Sequence, residues 1–236
     1  MKNSISRNKD RATRILEAAA RLMTRYGYDK TTMEDIAREA CVSKGAIYLE
    51  WSGREDLFDD LFEHEMKKLI LDIRSRIESS VEEINISNLY GITLSAMNSS
   101  RLISALYTRD GKILGDFVHR QDPNRYIHRL LMSKESITTL QKSGMLRSDL
   151  SADVLAYLFS LMALGVLSIS SIIPEENAPP IEKTIEGISA MVQSGLVLPG
   201  THQSILKETT LQMLDLMMSQ YEKEEKNEHG FTRIHA

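Results

Sequence analysis

The stretch that most constrains this chain is TTMEDIAREACVSKGAIYLEWSGREDLF, residues 31–58. Thr31 and Glu34 stand at capping-box spacing, in which a hydroxyl and a carboxylate each satisfy an orphan N–H at a helix start. Met33, Ile36, Ala37 and Ala40 follow at i, i+3, i+4 and i+7, one apolar stripe. Ser43 is placed to cap a second helix, with Val42 and Ile47 at the positions of a hydrophobic staple across that cap. Ser52 and Glu55 repeat the capping spacing for a third helix. Two short helices at a tight turn, backed by a third, make the pattern of a helix-turn-helix, whose second helix fits a DNA major groove.

The rest of the chain reads as helix. Residues 1–9 are expected to be a flexible basic arm carrying Lys2, Arg7 and Lys9. A first helix is predicted from Asp10 to Tyr26, burying Ile15, Ala19, Leu22 and Met23 and stopping at Gly27. A long helix from about Gly53 carries Leu57, Phe58, Leu61, Phe62, Leu69, Ile70, Ile73 and Ile77 on one face. Further helices are expected at 86–108, 112–120, 123–143, 151–172, 180–195 and 201–222. Four of the five prolines, Pro174, Pro179, Pro180 and Pro199, fall between the last three. Strand-like alternation is absent, so the fold class is all-α. The tail, residues 223–236, is expected to be disordered.

Charge separates the two ends. The whole chain is acidic, net −4, which by itself argues against nucleic acid. Residues 1–54, however, hold eleven Lys and Arg against seven Asp and Glu, a balance of +4, and the remainder carries −8. A basic head on an acidic body presents one face to phosphate. From Val154 to Ile173 there are twenty residues without a charge, long enough to span a bilayer. Four serines dilute that run and Asp149, Asp153, Glu175 and Glu176 frame it instead of cations. A helix buried on all sides, within its own domain and against a partner chain, is the expected outcome. One cysteine excludes an internal disulfide, and the polar first fifteen residues give no sign of a secretory leader, so a cytoplasmic setting is expected.

The spaced residues Gly27-x-x-x-Thr31-Thr32, Ile36-Ala37-x-x-Ala40-x-Val42-Ser43-x-Gly45, the pair Ile47-Tyr48 and Arg54-Glu55-x-Leu57-Phe58 form one ordered run. With the preceding amphipathic helix, roughly residues 10–60, it resembles the DNA-binding region of the tetracycline-repressor (TetR) family. That resemblance implies a three-helix helix-turn-helix domain at 10–55 and a larger helical ligand-binding and dimerisation domain at 56–222. It also implies a homodimer, joined through helices near 151–172 and 180–222, that binds a palindromic operator as a repressor and leaves it when a small-molecule inducer binds. An activator, or a DNA binder without a ligand, is the alternative; a ligand-binding dimer with weakened DNA affinity is the third.

By the same resemblance Ser43, Lys44, Gly45, Ala46, Tyr48 and Leu49 face the groove. Lys44 is suited to guanine or phosphate, the Ala46 methyl to a thymine methyl, and Gly45 to a close backbone approach. Tyr48, Arg54 and Thr31 or Thr32 are expected to hold phosphates. Two positions depart from the family pattern. Cys41 stands in the turn where Gly is common, implying either strain or a turn that avoids left-handed geometry. Glu50 and Trp51 replace His or Tyr followed by Phe. Trp51 can plug the core, whereas Glu50 either points away, accepts from a cytosine amino group, or weakens binding.

Met66, Met97, Arg101, Phe117, Tyr126, His128, Phe159 and Met162 are the candidate lining of an effector pocket, and twelve methionines suit an adaptable one. The six histidines show no metal-ligand spacing, and no nucleophile elbow, phosphate loop or dinucleotide fingerprint is present. No enzyme activity, cofactor or metal is expected.

Overall fold

A computed structural model describes residues 2–81, 84–120, 134–199 and 203–232 of the chain. Twelve α-helices occur among them: α1 (Lys2–Tyr26), α2 (Met33–Glu39), α3 (Lys44–Tyr48), α4 (Arg54–Ser79), α5 (Ile86–Ser99), α6 (Arg101–Thr108), α7 (Gly111–Leu114), α8 (Phe117–Arg120), α9 (Lys134–Lys142), α10 (Ala152–Ile169), α11 (Ile181–Gly195) and α12 (Gln203–Thr232). No strand is present among the described residues, only one antiparallel bridge between Leu146 and Val197.

Both chain ends depart from expectation. The described part of the arm, residues 2–9, is helical, because no proline or glycine interrupts the chain before Gly27 and α1 extends back to Lys2. The tail expected to be disordered continues α12 to Thr232, through a stretch rich in helix-forming Glu and Lys. The helix expected at 86–108 is two helices. Ser100 leaves helical geometry and its hydroxyl accepts from the Ile103 N–H at 3.3 Å, starting α6 afresh. The short helix expected at 112–120 is likewise two, parted at Gly115. Of the helix expected at 123–143, the described part is α9.

The chain divides into two compact units. The first holds α1–α3, α4 as far as Met66, and α6–α8; the second holds α4 from Lys67, α5 and α9–α12. The head is thus larger than the expected 10–55, and aromatic contacts give the reason. Phe117 of α8 stacks on Phe62 of α4, with centroids 4.8 Å apart, and lies 5.5 Å from Tyr28, which meets Phe58 edge-on at 4.9 Å. All four rings are buried, and the α1–α2 turn is clasped at the same place. The Tyr28 N–H donates to Ile113 O at 2.8 Å, and the Asp116 N–H donates to the Asp29 carboxylate at 3.3 Å.

In the second unit α5 packs against α10 and α11. Tyr90 of α5 lies edge-on to Phe159 of α10 at 4.8 Å and its hydroxyl donates to Phe159 O, while burial pushes its phenol pKa up. Gly91 admits Ser189 of α11 so closely that a Cβ there would meet the serine oxygen at 2.5 Å. Helix α10 is long and apolar enough to cross a membrane, by length and composition alone. In the single chain one side of it is buried, the side expected to lie within its own domain. Leu155, Phe159, Ala163, Val166 and Leu167 face the core, whereas Val154, Tyr157, Leu158, Leu161 and Leu164 are exposed.

Candidate nucleic-acid interface

The α2–α3 pair is built by local hydrogen bonds. Thr32, not Thr31, caps α2, its oxygen accepting from the Asp35 N–H at 3.1 Å while its hydroxyl donates to the Asp35 carboxylate at 2.6 Å. The expected Thr31–Glu34 box is therefore shifted by one residue. The Thr32 hydroxyl foremost, and the paired Arg38 behind it, hold the Asp35 carboxyl below its ordinary range. Ser43 caps α3 as expected, accepting from the Ala46 N–H at 3.2 Å. At the start of α4 the expected Ser52–Glu55 pair gives way to Asp56, which receives both the Ser52 N–H at 2.8 Å and its hydroxyl at 3.1 Å.

Between α2 and α3 the chain turns through Cys41, at φ 54° in the left-handed region. The Val42 N–H donates to Ala37 O at 3.0 Å and the Cys41 N–H to Arg38 O at 3.2 Å, the two bonds of a Schellman stop. Of the two readings open at Cys41, strain is the one realised. A non-glycine residue in this geometry costs about 1–2 kcal/mol, and the side chain is exposed, so the core has no need of it. Cys41→Gly is accordingly expected to stabilise the head by about 1 kcal/mol, read as a higher denaturation midpoint in the fluorescence of Trp51. An unchanged or lower midpoint would show that the sulfur contributes more than the turn costs.

Helix α3 divides cleanly. Ile47 is fully buried, and Lys44, Gly45, Tyr48 and Leu49 are exposed, the last two at 49% and 78%, with Ala46 half-buried. Tyr48 is thus an outward aromatic and not a core one, and the Lys44 ammonium lies 6.0 Å from its ring centre. A Cβ on Gly45 would meet only Ser43 Oγ, at 4.0 Å, so nothing inside the protein calls for a glycine there. The segment after α3 is fastened inward. Trp51 is buried and donates from its indole N–H to Asp60 at 2.7 Å, acting as the expected core plug. Glu50 accepts from Arg11 of α1 at 2.6 Å, with both side chains about a quarter exposed. Its charge is balanced within the head, which is the first of the three options, a carboxylate turned away from DNA.

Three of the residues expected to hold phosphates fall in different settings. The Thr31 hydroxyl is buried and donates to Gly27 O at 2.8 Å, so it braces the α1–α2 turn and is out of reach of DNA. Thr32 is the exposed one. Arg54 is half-buried, donates from Nη1 to Tyr28 O at 3.3 Å and Thr31 O at 3.5 Å, and lies 4.2 Å from the centre of the Tyr28 ring. It ties the start of α4 to the turn before α2. Sequence reasoning missed Arg11 and Asp29, which position the interface. Their partners lie 39 and 87 residues away, and no local pattern reveals such pairings.

The expected pocket residues fall in different places. Met66 and Phe117 are buried in the first unit, where Phe117 belongs to the aromatic cluster around Tyr28, and Arg101 is exposed at the start of α6. Met97 and Phe159 are buried in the second unit and Met162 is half-buried there. Tyr126 and His128 lie outside the described residues.

Residues 15–61 match the family model of bacterial regulatory proteins, tetR family. The uncharacterized HTH-type transcriptional regulator YhgD of Bacillus subtilis is 43% identical over 60 residues, covering 25% of this chain and 31% of that protein. The curated relatives are matched over only 23% to 34% of their own length. Solved structures extend the likeness over most of the fold. FadR from Bacillus subtilis in complex with stearoyl-CoA superposes with a TM-score of 0.59 at 16% identity, covering 78% of this chain and 98% of that one. The SmeT–triclosan complex gives 0.61 at 18% identity, covering 81% and 93%. At such identities the fold is what is shared. With the capped α2–turn–α3 unit and its exposed α3 face, the match makes residues 15–61 similar to the tetR family of bacterial regulatory proteins.

Proposed function

We propose that this protein is a sequence-specific DNA-binding transcriptional regulator, acting as a homodimeric repressor that a small-molecule effector releases from a palindromic operator. The observation that carries the reading is the outward face of α3. A rigidly capped short helix offers Lys44, Gly45, Tyr48 and Leu49 to the outside, and its glycine answers to no internal contact. A glycine in a helix costs about 1 kcal/mol relative to alanine, a cost that a close approach of DNA would justify. Two heads would bind half-sites one helical turn, about 35 Å, apart. The exposed apolar stripe of α10, with Met213 and Leu216 of α12, supplies the surface for pairing two copies.

The effector would act by linkage: if it binds better to a conformation whose heads no longer match the half-site spacing, binding and DNA release are coupled. Its chemistry is read as apolar or amphipathic, from the methionine-rich composition and from the acyl-CoA and triclosan bound by the two similar structures. The protein would work in the cytoplasm, as a regulator and not as an enzyme. The case for a dimer with weakened DNA affinity rested on Glu50, and its pairing with Arg11 removes that ground.

The test starts from duplexes selected out of a random pool by the purified chain, which should converge on an inverted repeat. Gly45→Ala is then expected to leave the Trp51 unfolding midpoint unchanged or raised, since helix propensity improves by about 1 kcal/mol. The same substitution should weaken binding to the selected repeat at least severalfold. Equal binding by the variant, or a pool that never converges, refutes the reading.

A further inference from the structure

Helix α3 carries a single charged side chain, Lys44, so most of its exposed face cannot form charge-assisted bonds to bases. Leu49 is the more exposed of the two large side chains on that face, 78% against 49% for Tyr48, and lies one turn beyond the open Gly45. It is nonetheless held in place. Its N–H donates to Gly45 O at 3.1 Å and its backbone keeps helical geometry at φ −74° and ψ −23°. The next two residues are anchored by the Glu50–Arg11 pair and by buried Trp51 with its bond to Asp60. The head therefore projects a branched apolar side chain from a fixed backbone and makes no internal use of it. Against a base edge in the major groove, two leucine methyls can neither donate nor accept. The one apolar feature of the groove is the C5 methyl of thymine.

We infer that Leu49 reads a thymine methyl, so that each operator half-site holds a T·A pair recognised at one place by apolar contact alone. This rests on the DNA-binding reading above and adds the kind of base feature that the end of α3 selects. Tyr48, half exposed, has a hydroxyl suited to phosphate or water.

Deoxyuridine keeps every hydrogen-bonding group of thymidine and lacks only the methyl. Each thymidine of the selected repeat is replaced in turn by deoxyuridine, symmetrically in both half-sites, and titrated with the full chain. One position is expected to lose about fourfold per half-site, the worth of one buried methyl. In Leu49→Ala, whose fold is checked by an unaltered unfolding midpoint, that same replacement should have no effect. If no thymidine is sensitive, or if the sensitivity persists in Leu49→Ala, the inference is overturned while the DNA-binding reading stands. Failure of the wild-type chain to select any DNA overturns both, and is seen before any base is changed.

Discussion

Gly27→Ala is expected to lower the stability of the head by about 2–5 kcal/mol, the sum of a backbone and a packing penalty. Gly27 sits at φ 84°, and a Cβ there would lie 2.5 Å from the backbone oxygen of Lys112. Left-handed geometry alone costs an L-residue about 1–2 kcal/mol. The clash adds an overpacking cost of about 1–3 kcal/mol, because its partner is main chain and cannot rotate away. Nor can the turn withdraw. The Gly27 carbonyl accepts the buried Thr31 hydroxyl, the Tyr28 N–H is bonded to Ile113 O, and Asp29 receives the Asp116 N–H. Gly115 interlocks from the other side, since a Cβ on it would overlap the Asp29 carboxylate. The only tryptophan of the chain, Trp51, is buried in the head, so its fluorescence reports this unit. A denaturation midpoint within error of the wild type would show that α7 yields easily, and that the clasp on the turn is not what holds the head.

The second large effect is expected on assembly. Val154, Tyr157, Leu158, Leu161 and Leu164 recur at helical spacing along the exposed side of α10, and Leu161 is 47% accessible. Leu161→Glu should therefore leave the protomer folded, because the carboxylate can be hydrated there. At a paired interface the same charge is buried without a partner, at a cost of about 3–5 kcal/mol per copy. Sedimentation should show a dimer for the wild type and a monomer for the variant. Operator affinity should fall by about 10²–10⁴, the advantage lost when two tethered heads become one. A variant that remains dimeric would place the seam elsewhere, and a wild-type monomer would remove the basis for two-headed binding.

The local part of this architecture is written in residues no more than four apart. The stripe Met33, Ile36, Ala37 and Ala40 is buried as its spacing requires, Ser43 caps α3, and all eight apolar residues marked on α4 are in the core. Helix periodicity and capping act within one turn, so a linear reading can find them. Even there it slips by a residue. Thr31 and Thr32 are both capping types, and only the buried bond from Thr31 to Gly27 O decides that Thr32 does the capping.

What the chain's order of residues determined by itself was most of the helices, the turn between α2 and α3, and the excess of positive charge in residues 1–54 over an acidic remainder. What only the tertiary structure decided was the partner of each polar group. Glu50, which read as a threat to phosphate, is balanced by Arg11. Arg54, which read as a phosphate clamp, also bonds the turn at Tyr28 from its Nη1. Phe117, which read as pocket lining, completes the aromatic cluster of the head, and Cys41 accepts the left-handed geometry that a glycine would have taken freely. The physical reason is the same in each case. A helix satisfies its backbone among near neighbours, whereas a charge or a ring settles with whatever the folded chain brings within a few ångströms, from anywhere in the sequence.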